Sequence, residues 1–543
     1  MSECPHAGGR NTIMRHEETA LLHVRVMSSL GGWWKQTGDA VYLRNGIIER
    51  IGSTADIQAM ASSRNAQVLD FAGTPEATCY PAFMDSHLHL DMYGFSLLHV
   101  NLNGETSLDG ALERIRMAGK PDNGAWILGD CWDDELWSDS PHRRQLDDLY
   151  PNSPVVLNRK DYHSLWLNTA ALKAVDLWNS RPFGSDLIPC DADGPTGIVR
   201  DAAQDWAFPR IPAPRLDERF AALHSAINKL LSMGFASCCS MDYDIFPELQ
   251  ALIPAMSEEP RIRIWQAVGL ANLDAAVSLG LRSGFGSDFL RIGGIKAFAD
   301  GSLGSRTAYM EESWPGAPGN YGYHTYESVN WLADRFRKAN ENGLWVWVHA
   351  IGDRANRETL DAFEQAGVAT SKGHAHHRIE HAQFLHPEDV ERFANLGIAA
   401  SVQPSHLDLD IGKLKTVFPT PHPRSYAFRS LLDSGVELDF GSDAPVEDPD
   451  ALKGIAFAAF RTRAGEPPYQ SEQCVSVQDA LTAYTIAPQS SVGLFGQRGN
   501  LVEGQDADIV VLSRNILGDN EPLALRSTQV LATIVAGDLA FKA

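Results

Sequence analysis

Leu344-Trp-Val-Trp-Val-His349 is the stretch whose reading decides the fold. Five apolar residues, all aromatic, β-branched or leucine, form a run too short for a helix and without polar alternation. That is the pattern of a strand covered on both faces. A histidine closes it. Helical periodicity precedes it over Glu327–Asn342 and follows it over Arg354–Ala366, and a second short run, Arg378–His381, comes next. Strands that alternate with helices imply a parallel sheet. Six further runs fit the same scheme: Ala77–His87, Ala236–Met241, Ile262–Val268, Ile292–Phe298, Ile398–Val402 and Val436–Phe440. Together they make eight, the strand number of a (β/α)₈ barrel.

Both ends of the chain read differently. Asp39-Ala-Val-Tyr-Leu-Arg44, Asn45-Gly46 and Ile47–Ile51 form a hairpin pattern, and Gly504–Leu512 and Gln529–Val535 are again β-rich. The expected fold class is therefore α/β: a TIM-type barrel inserted in a small β-sandwich built from both chain ends. The expected domains are a tail over 1–30, a composite β-sandwich over 31–76 and 490–543, and a barrel over 77–489. The interval from His87 to Ala236 is far longer than one βα unit requires. Trp126–Gly129, Pro154–Asn158 and the Gly/Pro-rich Asp191–Gly197 lie inside it, so an α+β insertion is expected over 100–215.

Composition narrows the function classes. The 543 residues carry 46 Lys+Arg against 69 Asp+Glu, a formal charge of −23. No basic run offsets it, which argues against nucleic acid and anionic membrane surfaces as partners. The 7 cysteines show no CxxC pair or regular spacing, as in a reduced, cytoplasmic protein. The first thirty residues lack a signal-peptide core, and no stretch has the length of a membrane span.

Ligand-type residues cluster at strand ends. Asp85-Ser86-His87-Leu88-His89 follows the first barrel run, and residues i and i+2 of a strand point the same way. His87 and His89 would then present two imidazoles at one barrel mouth, as a divalent ion requires. His349 ends its strand, His381 ends Arg378-Ile-Glu, and Asp443 lies just beyond Val436–Phe440. The C-terminal strand ends are where barrel active sites are built. Lys296 sits within an apolar run, where its charge must be paired or removed. Two readings stand: an ion pair with Asp300 or another carboxylate, or carboxylation of the amine to an anionic bridge between metals.

In that order, His87-x-His89, Lys296, His349, His381 and Asp443 resemble the amidohydrolase superfamily. The strings Lys296–Ala308, Val348–Ala355, Arg378–Gln383, Ser401–Ser405 and Gly441–Pro445 resemble its YtcJ-like branch (amidohydrolase family 3), which includes the N-substituted formamide deformylases. The resemblance spans about residues 40 to 540. It implies a metallo-barrel hydrolysing a C–N, amide-type bond of a small organic molecule. His87, His89 and Asp443 would hold one ion and His349 and His381 a second, with Lys296 bridging if carboxylated. The ion, zinc first and one or two per chain, would activate water. Asp443 would move the proton from water to the leaving nitrogen. Family habit implies a homodimer.

Two alternatives stay open. One is a mononuclear deaminase of an amino-heterocycle, against which Lys296 counts. The other is a non-catalytic binding or regulatory protein, against which the intact ligand set counts. Arg306 is a candidate for the substrate carbonyl, with a surface ion pair as its alternative. Trp132, Trp314 and Tyr321 are candidate pocket walls, although packing explains them as well. His374, His376 and His377 precede a strand, at the wrong end of the barrel. Cys238-Cys239 lacks a partnering histidine motif and reads as buried structural cysteine.

Overall fold

Eight strands in one ordered sheet carry the polar residues singled out above. They are β1 (Phe83–Leu88), β2 (Phe235–Ser240), β3 (Arg263–Gly269), β4 (Leu290–Phe298), β5 (Trp345–Ala350), β6 (Arg378–His381), β7 (Ala399–Val402) and β8 (Leu438–Phe440). This computed structural model describes residues 17–117, 119, 126–134, 137–160, 164–179, 182–242, 245–258, 261–368, 376–418, 425–463, 465–519 and 521–543. The strands lie side by side in chain order, and each ladder is parallel. The result is a nearly closed eight-stranded α/β barrel. Backbone hydrogen bonds bring the segment after β8 onto the end of β1. Asp443 N–H donates to His87 O (2.6 Å) and His89 N–H to Ala444 O (2.8 Å).

Local chemistry explains the units around β5. The preceding helix, Val329–Glu341, starts on Ser328, whose side chain accepts from Trp331 N–H; the following helix, Asp353–Ala366, stops at Gly367 in the left-handed conformation. Phe336 and Phe363 stack across the two helices with ring centroids 4.6 Å apart. Inside the barrel, the Trp347 indole lies against Gly293 and Gly294 of β4. A Cβ on either glycine would come within 2.4–2.5 Å of that ring, so only glycine admits the packing.

The chain divides into two compact units, Met1–Ala82 with Gly496–Asn515 and Thr528–Ala543, and Phe83–Phe495 with Ile516–Ser527. The first contains an eight-stranded sheet drawn from both chain ends. Its first strand, Glu18–Leu30, corrects the expected 1–30 tail; residues 1–16 lie outside the described residues. The strand escaped notice because both of its faces are covered, so polarity does not alternate. Ala20 and Leu22 pack with Ile57 and Ala61 of the helix Thr54–Arg64, while Leu21, Val24 and Val26 enter the larger core. One sheet, interrupted by a register shift between Leu22 and Val26, encloses that core. The expected single run Ala77–His87 is two strands: Thr78–Pro81 pairs in this sheet and Phe83–Leu88 in the barrel.

Between β1 and β2 the chain forms a separate five-stranded sheet, ordered Ile198–Arg200, Ser164–Leu167, Val155–Arg159, Ile127–Trp132 and Val100–Asn101. Trp132, Trp137 and Trp166 form its core, with ring centroids 6.1–6.3 Å apart.

Candidate metal centre

A cavity of about 400 Å³ opens at the C-terminal ends of the barrel strands, and His87, His89, Lys296, His349, His381 and Asp443 all line it. β1 supplies His87, and His89 directly follows that strand; β4 supplies the lysine, β5 and β6 the other two histidines, and Asp443 follows β8. His381 and Asp443 have φ of 72° and 58°. Non-glycine residues hold that left-handed backbone only where their surroundings dictate it, and such residues cluster at functional sites.

Asp443 stands at the centre. Its Oδ1 lies 3.3 Å from His87 Nε2 and 3.5 Å from His89 Nε2. The donor atoms of these three residues all fall within 4.8 Å of one another, as do those of His381, His406 and Asp443. The far side of each β1 histidine faces a carboxylate. His87 Nδ1–H donates to Glu380 Oε2 (2.7 Å), and His89 Nδ1 lies 3.7 Å from Asp242 Oδ1. His349 Nε2–H donates to Gly301 O (3.0 Å), which leaves Nδ1 as that ring's lone-pair atom. Its ring centroid is 4.5 Å from that of His381.

Burial sets the charges. Burial and Lys296 push the His349 ring down to about 3. Burial and His349 hold His381 well below the usual histidine range, so both rings are neutral. Burial opposes ionisation of Asp443, but the His87 and His89 rings outweigh it and hold the carboxyl well below its usual range. Burial likewise disfavours charge on His89, and Asp242 and Asp443 overcome it and raise the ring to about 9. Lys296 is 2 % exposed, and burial brings its amine down to about 8 against the pull of Glu380 and Asp443. The neutral His349 and His381 rings and the ionised Asp443 are donors a divalent ion takes, and an ion beside Asp443 would replace the proton that the carboxylates hold on His89. The residues present fit such an ion.

Motif reading missed Glu380, Asp242 and His406. His406 comes one residue after the string Ser401–Ser405; its Nε2–H donates to Ser442 O (3.2 Å) and sits 4.0 Å from Asp443 Oδ2. Glu380 had a signal: an Arg and a Glu two apart inside a strand that is otherwise covered. Asp300 does not pair with Lys296. Its carboxylate accepts from the backbone N–H groups of Tyr309, Ile351 and Gly352 at 2.7–2.9 Å and so fixes the loops beside His349.

The four candidate substrate residues lie elsewhere. Trp132 is 2 % exposed in the insertion core and donates to Leu157 O. It bears on the cavity only through Arg159, whose guanidinium lies 5.6 Å from its ring and which does line the cavity. Trp314 is buried against Phe384 and Phe418 and donates to Ala308 O. Arg306 and Tyr321 are exposed, and neither lines the cavity. Large aromatic side chains in loops were fastened down by packing, and smaller residues of the same loop, Ser302, Leu303 and Gly304, form the wall instead. His376 and His377 lie just before β6, away from the cavity, and His374 lies outside the described residues. Cys238 and Cys239 are buried, and burial raises both thiols.

A family model described as "Amidohydrolase family" matches residues 76–541. The chain is 32 % identical over 522 residues to Protein LONG AFTER FAR-RED 3 of Arabidopsis thaliana, covering 92 % of this chain and 88 % of that protein. It is 31 % identical to putative amidohydrolase YtcJ of Bacillus subtilis (93 % and 96 % covered) and 26 % identical to N-substituted formamide deformylase of Arthrobacter pascens (93 % and 95 %). Among solved structures, an uncharacterized metal-dependent hydrolase from Pyrococcus horikoshii superposes with a TM-score of 0.77 at 28 % identity, covering 92 % of this chain and 98 % of that one. Among the described residues no helix is long and apolar enough to cross a membrane.

Proposed function

The chain belongs to the amidohydrolase family and is a metal-dependent hydrolase of that kind; we propose that it cleaves an amide-type C–N bond of a small organic molecule. The observation that carries this is one cavity lined by His87, His89, Lys296, His349, His381 and Asp443, in which the His87 and His89 Nε2 atoms lie 3.3 and 3.5 Å from Asp443 Oδ1. Similarity to a formamide deformylase along most of the chain supports the choice of bond.

His87, His89 and Asp443 would hold one ion and His349 and His381 a second, zinc being the ion this nitrogen-and-carboxylate set suits. A divalent ion there lowers the pKa of water to about 7 and polarises a carbonyl. The chain's own residues do the rest. Asp443, which lines the cavity, takes a proton as water oxygen bonds to the carbonyl carbon. It returns that proton to the nitrogen as the C–N bond breaks, so that one water is consumed and an acid and an amine leave. Phe298, Leu303, Ile351, Leu409 and Val446 exclude solvent around the organic body of the substrate. Lys296 acts as a carbamate: its neutral amine adds carbon dioxide, forming an N–C bond and releasing a proton, and gives an anion in the middle of the donor set. Its low amine pKa and the engagement of Asp300 by backbone donors support this.

The test is a metal-depleted and metal-restored protein assayed on N-substituted formamides, other small amides and amino-heterocycles. Metal-dependent release of an amine from an amide supports the reading. Release of ammonia from heterocycles alone favours a deaminase, and no turnover on any of them favours a binding protein.

A further inference from the structure

Beneath the cavity floor, a chain of polar groups runs across the barrel interior from β6 to β1. Glu380 accepts from His87 Nδ1–H (2.7 Å) and from Arg378 Nε–H (2.6 Å). Arg378 also donates from Nη2 to Ser86 O (2.8 Å), and its guanidinium lies 3.9 Å from the centre of the Trp347 ring. His87, Glu380 and Arg378 are each at most 1 % exposed. On the strength of the metal-dependent reading above, we propose that Arg378 and Glu380 are positioning residues of the metal centre. Arg378 clamps Glu380, and Glu380 fixes the tautomer and the angle of the His87 ring.

Three arguments converge on this. First, a carboxylate only accepts. With Glu380 on Nδ1, the proton must sit there, and the lone pair of His87 is confined to Nε2, the atom that faces Asp443. Second, Arg378 and Glu380 are two apart on β6 and so share the inward face of the strand. Arg378 is itself held by Glu380, by Ser86 O one residue before His87, by the Trp347 face and by Asp439, whose Oδ2 lies 3.8 Å from Nη1. The clamp therefore references the ring to the same strand that carries it. Third, a buried ion pair is a poor device for stability, because apolar residues of similar volume commonly serve the fold as well or better. Met84, Trp265, Ala267 and Trp347 pack in one cluster beside it, and the second carboxylate near Arg378, Asp439, is buried too. An Arg–Glu pair directly behind a ligand is accounted for by orientation, and carboxylates behind metal-binding imidazoles typically contribute 10–100-fold to metal affinity.

The experiment measures metal binding, not turnover. Parent, Glu380→Gln and the double variant Arg378→Met/Glu380→Leu are stripped with a chelator. Each is then titrated with Zn²⁺ against a chromophoric competitor and loaded with Co²⁺ for its visible spectrum. Melting temperature and circular dichroism are recorded alongside. The expected result for Glu380→Gln is a metal Kd weaker by about 10–100-fold with an altered cobalt spectrum and an intact fold. The double variant, which also takes Arg378 away from Asp439, is expected to lose metal affinity at least as far. Parental Kd and spectrum in folded Glu380→Gln would overturn the proposal. So would a folded double variant with the parental metal Kd. A parent protein that binds no metal would instead sink the metal-dependent reading on which the proposal rests.

Discussion

Gly441→Ala should cripple the centre without replacing a ligand. Gly441 lies between β8 and Asp443, and a Cβ built on it would meet His87 N at 2.6 Å, His87 Cβ at 2.9 Å and His87 O at 3.0 Å. Ordinary contact begins at 3.4 Å, so the two backbones must part by about 0.8 Å, the shortfall from 2.6 Å. Neither obstacle is a flexible side-chain end, and φ is not in the left-handed region, so the cost is purely one of space. Parting them stretches the bonds from Asp443 N–H to His87 O (2.6 Å) and from Ser442 N–H to Asp85 Oδ1 (3.1 Å). Overpacking typically costs about 1–3 kcal/mol and a weakened hydrogen bond about 1 kcal/mol. The expected loss of stability is therefore about 2–4 kcal/mol, less than a barrel of this size needs to unfold. Catalysis is more sensitive: a misplacement near 1 Å costs on the order of 10²-fold in rate. Thermal melting, zinc content by mass spectrometry and kcat/KM on an amide substrate would be read on Gly441→Ala and on Gly73→Ala. Gly73 has nothing within 4 Å of a built Cβ and serves as control. A folded Gly441→Ala protein with parental zinc content and rate would refute the claim that the β8–β1 contact sets the ligand geometry.

Asp443→Asn should lose at least ~10²-fold in kcat, the lower range for general acid–base work, while keeping part of its metal; a near-parental kcat would remove it from proton transfer. Chelation should abolish amide hydrolysis and leave the far-ultraviolet circular dichroism largely intact, because the barrel strands are apolar well beyond the ligands; full activity in verified metal-free protein contradicts the mechanism. Lys296→Ala should lose activity that added short carboxylic acids partly restore, and a crystal showing a bare Lys296 amine in metal-loaded protein would defeat the carbamate. Trp132→Ala should cost about 3–5 kcal/mol as a cavity in the insertion core, visible as a lower melting temperature; unchanged stability with a raised KM would return Trp132 to the substrate wall.

The barrel was legible because its strands are covered on both faces and three of the runs, Ala77–His87, Leu344–His349 and Arg378–His381, end in a histidine. Val436–Phe440 and Arg378–His381 needed only local composition and chain order. Glu18–Leu30 was not legible, since its covering partners come from Thr54–Arg64 and from the far end of the chain. Double coverage erases alternation, and a lone strand then has nothing to mark its register. The ligand set was legible for a related reason: histidine or aspartate at a strand end is costly to bury, and five such placements, His87, His89, His349, His381 and Asp443, share one rim of the barrel. The cavity walls were not. Whether Trp314 faces substrate or Phe384 depends on how a loop folds back, and spacing does not encode that.

Buried charge supplies the remaining step. Every ionisable side chain taken out of water at this barrel end must meet a partner or change its state. Asp300 meets three backbone N–H groups, Glu380 meets Arg378 and His87, and Asp443 meets the imidazoles. Lys296 differs from them. Its Nζ lies 5.0 Å from the Phe298 ring, and Glu380 and Asp443, the carboxylates acting on it, are both bound to histidines. A bare ammonium at that place would repel any divalent ion held by the imidazoles, and a neutral amine would leave two such ions facing each other with one carboxylate between them. Repulsion of that size in a site of lowered dielectric has to be met by added negative charge. The carbamate we propose on the Lys296 amine would add one anion with two oxygens, and the lysine and the ions would then account for each other.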